Sequence, residues 1–129
     1  MEEHTRAGEA KVLIVDDDPS IRMLFTKMLD RLGYRAAGAG SGAEAEALAA
    51  GECFHVLVTD LVLPDASGVD VAHRLRERWP QLGVIVVSGY GGESAGEAVA
   101  GAGFRFLQKP VDIATITREV EAALAAQAG

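Results

Sequence analysis

The sequence is poor in features that mark secreted and membrane proteins. Its single cysteine, Cys53, cannot form an internal disulfide, and we expect it to be a small packing residue. It shows no signal-peptide pattern and no apolar run long enough to cross a bilayer. These absences predict a protein of the reducing cytoplasm that does not enter a membrane.

Positive charge is also scarce. The chain has 12 Lys and Arg against 19 Asp and Glu, a formal net charge of −7. Nucleic-acid phosphates and anionic membrane surfaces attract basic proteins, so this balance argues against direct binding to either. With 129 residues, 49% of them hydrophobic, the chain is long enough to bury the core of one domain.

Short apolar runs alternate with amphipathic patterns along the chain. The runs predict strands at 11–16, 34–38, 55–59, 83–87 and 104–108. The intervening patterns predict helices at 19–32, 41–50, 67–79 and 94–102, and a last helix from 112 onward. This alternation predicts an α/β fold, a doubly wound five-stranded parallel sheet with helices on both faces. Without a glycine-rich dinucleotide fingerprint, the flavodoxin-like strand order 2-1-3-4-5 is favoured.

Residues 11–126 are expected to form the single domain. Residues 1–10 resemble a disordered leader, and residues 127–129 a frayed end. Within the helix near 94–102, Gly96 and Gly101 each cost up to about 1 kcal/mol relative to alanine. That helix is therefore predicted to be marginal.

Acidic residues follow two of the predicted strands. Asp16, Asp17 and Asp18 end the first strand, and Asp60 ends the third. Asp18 before Pro19 is explained as a helix N-cap. The other carboxylates would repel each other unless a cation compensates, and hard oxygen ligands suit Mg²⁺. In the predicted topology they lie at one edge of the sheet.

Two later strand ends carry a hydroxyl and an ammonium group. Ser88 follows the fourth strand and Lys109 follows the fifth. Alone, such a serine is most often a turn residue and such a lysine a solvated surface charge. Their appearance at successive strand ends of the same sheet favours a common functional site with the carboxylates.

These residues lie in four motifs, VLIVDDD, VTDLVLPDASG, VVSGY and FLQKP, which occur in this order. The motifs resemble those of response-regulator receiver domains, the phosphoacceptor modules of two-component signalling, over about residues 11–126. The resemblance implies that Asp60 accepts a phosphoryl group from a histidine kinase or a histidine phosphotransfer protein. It also implies a Mg²⁺ or Mn²⁺ site formed by Asp16, Asp17, Asp60 and the backbone carbonyl of Val62.

The resemblance further implies how the phosphoryl group is bound. Lys109 would contact one phosphoryl oxygen, and Ser88 and the amides of Leu61 and Gly89 would contact the others. The Lys109-Pro110 peptide resembles one that the family holds cis, although trans is the base expectation for any X-Pro bond.

A switch and a long phosphoryl lifetime are implied as well. Ser88 and Phe106 match the switch positions, although an aromatic residue on a short strand is also a common core residue. Val62 and Tyr90 would hinder a hydrolytic water. A downstream protein would bind the surface near residues 93–124.

Other functions stay open. The receiver could act as a phosphate shuttle or sink, as a stand-alone protein or as part of a hybrid kinase, whose receivers the VVSGYGG stretch resembles. A phosphatase of the haloacid dehalogenase type shares the aspartate, hydroxyl and lysine but needs a further acidic motif and a longer chain. A flavin-binding module is disfavoured because the aspartates would repel its phosphate.

Overall fold

The computed structural model describes residues 10–89 and 92–128, in which strands and helices alternate strictly. The strands are β1 (Lys11–Val15), β2 (Arg35–Ala39), β3 (Val56–Asp60), β4 (Gly83–Ser88) and β5 (Arg105–Gln108). The helices are α1 (Pro19–Arg31), α2 (Gly42–Gly51), α3 (Gly68–Arg78), α4 (Gly92–Gly101) and α5 (Ile113–Ala128). No helix within the described residues is both long and apolar enough to cross a membrane.

The strands form one parallel sheet in the order β2-β1-β3-β4-β5, which confirms the predicted fold class and topology. In this register Val15 pairs with Thr59, and Asp60 pairs with Val87. The carboxyl ends of β1, β3 and β4 therefore reach the same edge of the sheet. This edge is where the sequence places its acidic and hydroxyl residues.

Two apolar cores lie on opposite faces of the sheet. Helices α1 and α5 cover one face and bury Phe25, Leu29, Ile116 and Val120 against it. Helices α2, α3 and α4 cover the other face, with Ala45, Ala49, Val71, Leu75 and Val99 buried. The continuous apolar runs of β1, β3 and β4 follow from this arrangement, because central parallel strands are buried on both faces.

The helix ends follow the local sequence signals. Asp18 caps α1 by accepting a hydrogen bond from the Ser20 amide at 2.9 Å, which confirms its structural explanation. Ser41 and Ser67 cap α2 and α3 in the same way. Gly33 follows α1 with a φ of 100°, a left-handed conformation that glycine adopts without strain.

Three predictions are corrected by the structure. Ala10, assigned to a disordered leader, is buried, and its carbonyl accepts a hydrogen bond from the Arg35 amide, because it extends β1 alongside β2. Gln127, assigned to a frayed end, lies in α5 and donates to the carbonyls of His55 and Gln81. Cys53, expected to pack, is exposed in the segment between α2 and β3. Residues 1–9 and 129 lie outside the described part of the chain.

Candidate functional site

Three carboxylates meet at the carboxyl edge of the sheet. Asp16, Asp17 and Asp60 each present an oxygen, and these three oxygens lie within 4.8 Å of one another. Asp16 is buried, and its Oδ1 accepts a hydrogen bond from the Asp18 amide at 2.9 Å, whereas Asp17 is exposed. The pairing of β1 with β3 brings the three residues together, as the sequence predicted.

Lys109 lies against this acidic cluster. Its Nζ is 3.0 Å from Asp60 Oδ2 and 3.4 Å from Asp16 Oδ2. Burial lowers the pKa of Lys109, but hydrogen bonds and charge from Asp60 and Asp16 outweigh burial, and the pKa lies above its ordinary value. Lys109 is therefore fully protonated at neutral pH. The Lys109-Pro110 peptide is cis, as the family resemblance implied.

The backbone of Asp60 is held by two small contacts. The buried Thr59 donates its hydroxyl proton to the Asp60 carbonyl at 2.9 Å. Gly68, the first residue of α3, packs so closely that a Cβ atom there would lie 2.1 Å from the same carbonyl oxygen. Only glycine permits this approach, so α3 begins directly against the backbone of Asp60.

The amide beside the Asp60 carboxylate differs from the expected one. The amide of Leu61 donates to the Val87 carbonyl at 2.9 Å, because it continues the pairing of β3 with β4. It does not point at the carboxylate, and the prediction for Leu61 is wrong. The amide of Val62 lies 3.4 Å from Asp60 Oδ1 instead. Val62 thus presents its amide to the site.

Ser88 and Phe106 occupy the neighbouring strands. Ser88 is buried at the end of β4, and its carbonyl accepts a hydrogen bond from the Lys109 amide at 3.0 Å. Phe106 is half-buried in β5, and its ring lies against α4, where a Cβ atom at Gly96 would be 3.4 Å from Phe106 Cδ2. Tyr90, assigned to the site by resemblance, lies outside the described residues.

An apolar cavity of about 340 Å³ adjoins the carboxylates. Asp16, Asp60 and Lys109 line it together with apolar residues of α1, the central strands and the segment after β5, namely Ile21, Phe25, Val58, Val87 and Val111. Apolar walls reduce solvent screening, so charges at this edge interact more strongly than they would in water.

Three residues that the sequence analysis did not single out make close contacts around the site. Arg22 donates to the Asp16 carbonyl at 2.7 Å, and Asp65 accepts hydrogen bonds from the amides of Gly42 and Ala43. Gly68 gives Asp60 its close backbone contact. None of the three had a distinctive local signal, since Gly42 and Gly92 also begin helices.

The chain is similar to known signalling proteins. The family model described as "Response regulator receiver domain" matches residues 12–121. The response regulator protein PilR of Pseudomonas aeruginosa is 39% identical over 115 residues, which cover 88% of this chain and 26% of PilR. The response regulator receiver protein CpdR of Brucella abortus is 28% identical over 117 residues, which cover 90% of this chain and 98% of CpdR.

Solved structures agree with these relatives. A CheY-like response regulator receiver domain protein from Methanospirillum hungatei superposes with a TM-score of 0.84 at 27% identity. The superposition covers 92% of this chain and 95% of the other. The chain spans about a quarter of the length of PilR but nearly all of CpdR. From the family match and the shared fold, the chain belongs to the response regulator receiver domain family of two-component systems.

Proposed function

We propose that Asp60 accepts a phosphoryl group from the phosphohistidine of a histidine kinase or a histidine phosphotransfer protein, and that this modification switches a partner-binding surface. The placement of Asp60 carries the proposal. Its side chain is 11% exposed, 3.0 Å from Lys109 Nζ, and clustered with Asp16 and Asp17. No other described acidic residue belongs to such a cluster. Histidine kinases need ATP, so the proposed place of action is the cytoplasm.

The three carboxylates suit a divalent cation. Ligand oxygens around an octahedral Mg²⁺ lie about 2.9 to 4.1 Å apart, and the three carboxylate oxygens here already lie within 4.8 Å of one another. Asp17, Asp60 and the carbonyl of Val62 would hold the ion, with Asp16 acting through water. When bound, Mg²⁺ or Mn²⁺ would neutralise negative charge that the carboxylates and the phosphoryl donor bring together.

The transfer step is a displacement at phosphorus. A carboxylate oxygen of Asp60 forms the new bond to phosphorus while the bond from phosphorus to the donor histidine breaks, and the electron pair leaves with the imidazole. Lys109 is within reach of Asp60 and would bind one phosphoryl oxygen. The amide of Val62 and the hydroxyl of Ser88 would donate to others, at positions where negative charge develops.

Hydrolysis of the modified Asp60 is expected to be slow. Val62 follows Asp60 by two residues, and its apolar side chain is 56% exposed next to the site, where it would hinder an incoming water. Tyr90 is proposed to act in the same way. Replacing Val62 with Asn should therefore shorten the lifetime of the phosphorylated protein, and an unchanged decay rate would contradict this steric role.

The output surface is proposed to be formed by α4, β5 and α5, near residues 93–124. Phe106 connects this surface to the site, because its ring packs on α4 while its strand neighbours β4, which ends at Ser88. Movement of Ser88 toward a phosphoryl group on Asp60 would give Phe106 room to turn inward. A receiver without this change would act as a phosphate shuttle or sink.

The assignment of Asp60 can be tested with a small phosphodonor. The purified protein is incubated with acetyl phosphate and Mg²⁺, and its intact mass is measured. We expect one phosphoryl adduct in the wild type and none in Asp60→Asn. An adduct of equal yield in Asp60→Asn would disprove the assignment.

Two further variants separate the roles of the acidic residues. Asp17→Asn should still be phosphorylated at Asp60. It should require a higher Mg²⁺ concentration for the same yield of phosphorylated protein, because it removes one proposed metal ligand. Asp70→Asn, an exposed residue on α3, serves as the matched control and should behave like the wild type.

A further inference from the structure

The loop that follows the phosphoacceptor strand is attached to a neighbouring helix. This loop, residues 61–67, carries Asp65, whose carboxylate accepts hydrogen bonds from the Gly42 amide at 2.8 Å and the Ala43 amide at 2.9 Å. Both donors belong to the first turn of α2. One exposed side chain thus connects the loop between β3 and α3 to a helix on the same face of the sheet.

Helix α2 already satisfies its other first-turn amides locally. The amide of Glu44 donates to the Ser41 hydroxyl at 3.1 Å, and the amide of Ala45 donates to the Ser41 carbonyl at 3.0 Å. The first amides of a helix have no partner within the helix itself. Gly42 and Ala43 supply two such donors, and Asp65 accepts from both. Their hydrogen bonds are the main cause that lowers the pKa of Asp65 below its ordinary value.

The rest of the loop forms a small closed hairpin. The Gly68 amide donates to the Leu61 carbonyl at 2.8 Å, and the Leu63 amide donates to the Ala66 carbonyl at 3.0 Å. Val62 forms an antiparallel bridge with Ser67. Val62 is therefore held between two anchors. One is the base of the hairpin at Gly68, and the other is its tip, where Asp65 binds α2.

We propose that Asp65 is a positioning residue for the phosphoacceptor site, acting through the backbone of Val62. By tying the tip of the hairpin to α2, it holds the backbone of Val62, whose amide lies 3.4 Å from Asp60 Oδ1 and whose carbonyl is the proposed metal ligand. This inference rests on the proposed function of Asp60. Asp65 itself would touch neither the metal nor the phosphoryl group. It would set the geometry of Val62, which is proposed to contact both.

A control variant in the same region tests whether Asp65 only joins two helices. Helices α2 and α3 are also joined by the Arg74–Glu46 ion pair at 2.7 Å, which does not involve the hairpin. Glu46→Gln weakens contact between the helices and leaves the attachment of the loop intact. If Asp65 only fastened the two helices, its variants should resemble Glu46→Gln.

The first measurement is the Mg²⁺ dependence of phosphorylation by acetyl phosphate. We expect Asp65→Ala to raise the half-saturating Mg²⁺ concentration by about threefold to tenfold, below the 10- to 100-fold effects seen when a direct partner of a ligand is lost. Asp65→Asn, which keeps one acceptor oxygen, should lie between Asp65→Ala and the wild type. The rate at saturating Mg²⁺ should change less than the half-saturating concentration, because Asp60 and Lys109 are untouched.

The second measurement needs no phosphorylation and reports on the loop itself. In metal-free protein, amide hydrogen exchange at Leu63 and Gly42 should be faster in both Asp65 variants than in the wild type and in Glu46→Gln. This result stands even if acetyl phosphate fails to modify the wild type, an outcome that would count against Asp60 as the phosphoacceptor. If Asp65→Ala speeds exchange at Gly42 but keeps wild-type Leu63 protection and Mg²⁺ dependence, Asp65 is only a helix cap and the proposal is overturned.

Discussion

The two flanks of the proposed phosphoacceptor site are held in different ways. On the flank formed by the hairpin and α3, Gly68 packs on the Asp60 backbone, Asp65 binds α2, and Arg74 pairs with Glu46. On the flank formed by α4 and β5, the helix contains three glycines, and Val99 is the only buried residue within 96–101. We call the first the fixed flank, because hydrogen bonds, an ion pair and a close backbone contact hold it. We call the second the light flank, because it has few buried side chains within 96–101.

This contrast separates two requirements of a receiver. Residues that bind a metal and a phosphoryl group need a fixed geometry, and local hydrogen bonds and close contacts provide it. A surface that reports phosphorylation needs two states separated by only a few kcal/mol, and a helix with few buried contacts and unfavourable glycines suits that need. The differences between the flanks can be tested by substitution.

The largest effect is expected on the fixed flank. In Gly68→Ala the new Cβ would lie 2.1 Å from the Asp60 carbonyl oxygen, so α3 must move away from β3. We expect the free energy of unfolding to fall by about 3 kcal/mol. Urea denaturation measures this loss, and phosphorylation should weaken in parallel.

A second glycine provides the control for Gly68. Gly51 ends α2, and a Cβ atom there would meet nothing within 4 Å. Gly51→Ala should therefore change the stability by no more than about 1 kcal/mol. Equal losses of stability in the two variants would show that contact with the Asp60 carbonyl does not cause the loss in Gly68→Ala.

A smaller effect of opposite sign is expected on the light flank. Gly96→Ala should raise the free energy of unfolding by up to about 1 kcal/mol, because alanine favours the helix and the new Cβ would contact Phe106 Cδ2 at an ordinary 3.4 Å. The same contact should restrain the ring and reduce its response to phosphorylation.

Gly101→Ala is the matched variant in the same helix. A Cβ atom there meets nothing within 4 Å, so it adds helix propensity without touching Phe106. Hydrogen exchange in β5, with and without a phosphoryl mimic, distinguishes the two variants. If Gly101→Ala suppressed the response as strongly as Gly96→Ala, helix stability rather than ring contact would control it.

The smallest expected effect concerns pH. The Gly42 and Ala43 amides hold the pKa of Asp65 below its ordinary value of 3.8. A carboxyl group whose pKa is lowered by folding stabilises the protein above its unfolded-state pKa, and this stabilisation is lost as the pH falls through the folded-state pKa. Asp65→Asn should therefore cost more stability at pH 7 than at pH 3. Urea denaturation at both values tests this, with Asp70→Asn as control, and equal costs would exclude a role for the charge.

Much of the site was predictable because parallel topology converts sequence position into spatial position. Once β1 and β3 were recognised as neighbouring strands, Asp16, Asp17 and Asp60 had to lie close together, and Lys109 followed at the end of β5. These predictions needed only strand ends and strand order. They did not depend on loop conformation.

The contacts between loops and helices could not be predicted in the same way. Asp65 resembles an ordinary turn residue, and nothing local shows that its partners lie in α2. Whether the amide of Leu61 or that of Val62 lies beside the Asp60 carboxylate depends on how far strand pairing continues beyond Asp60. Strand propensity does not determine this. Gly68 begins a helix as Gly42 and Gly92 do, so the sequence does not distinguish its contact with the Asp60 carbonyl.

The most direct test of the contrast is amide hydrogen exchange with and without beryllofluoride and Mg²⁺, a mimic of the phosphorylated state. We expect large changes in protection over residues 92–108, while the amides of Gly42, Leu63 and Gly68 change little. Changes confined to the loops around Asp16 and Asp60, with residues 92–108 unaffected, would contradict a switch on the light flank. The chain would then function as a phosphate sink.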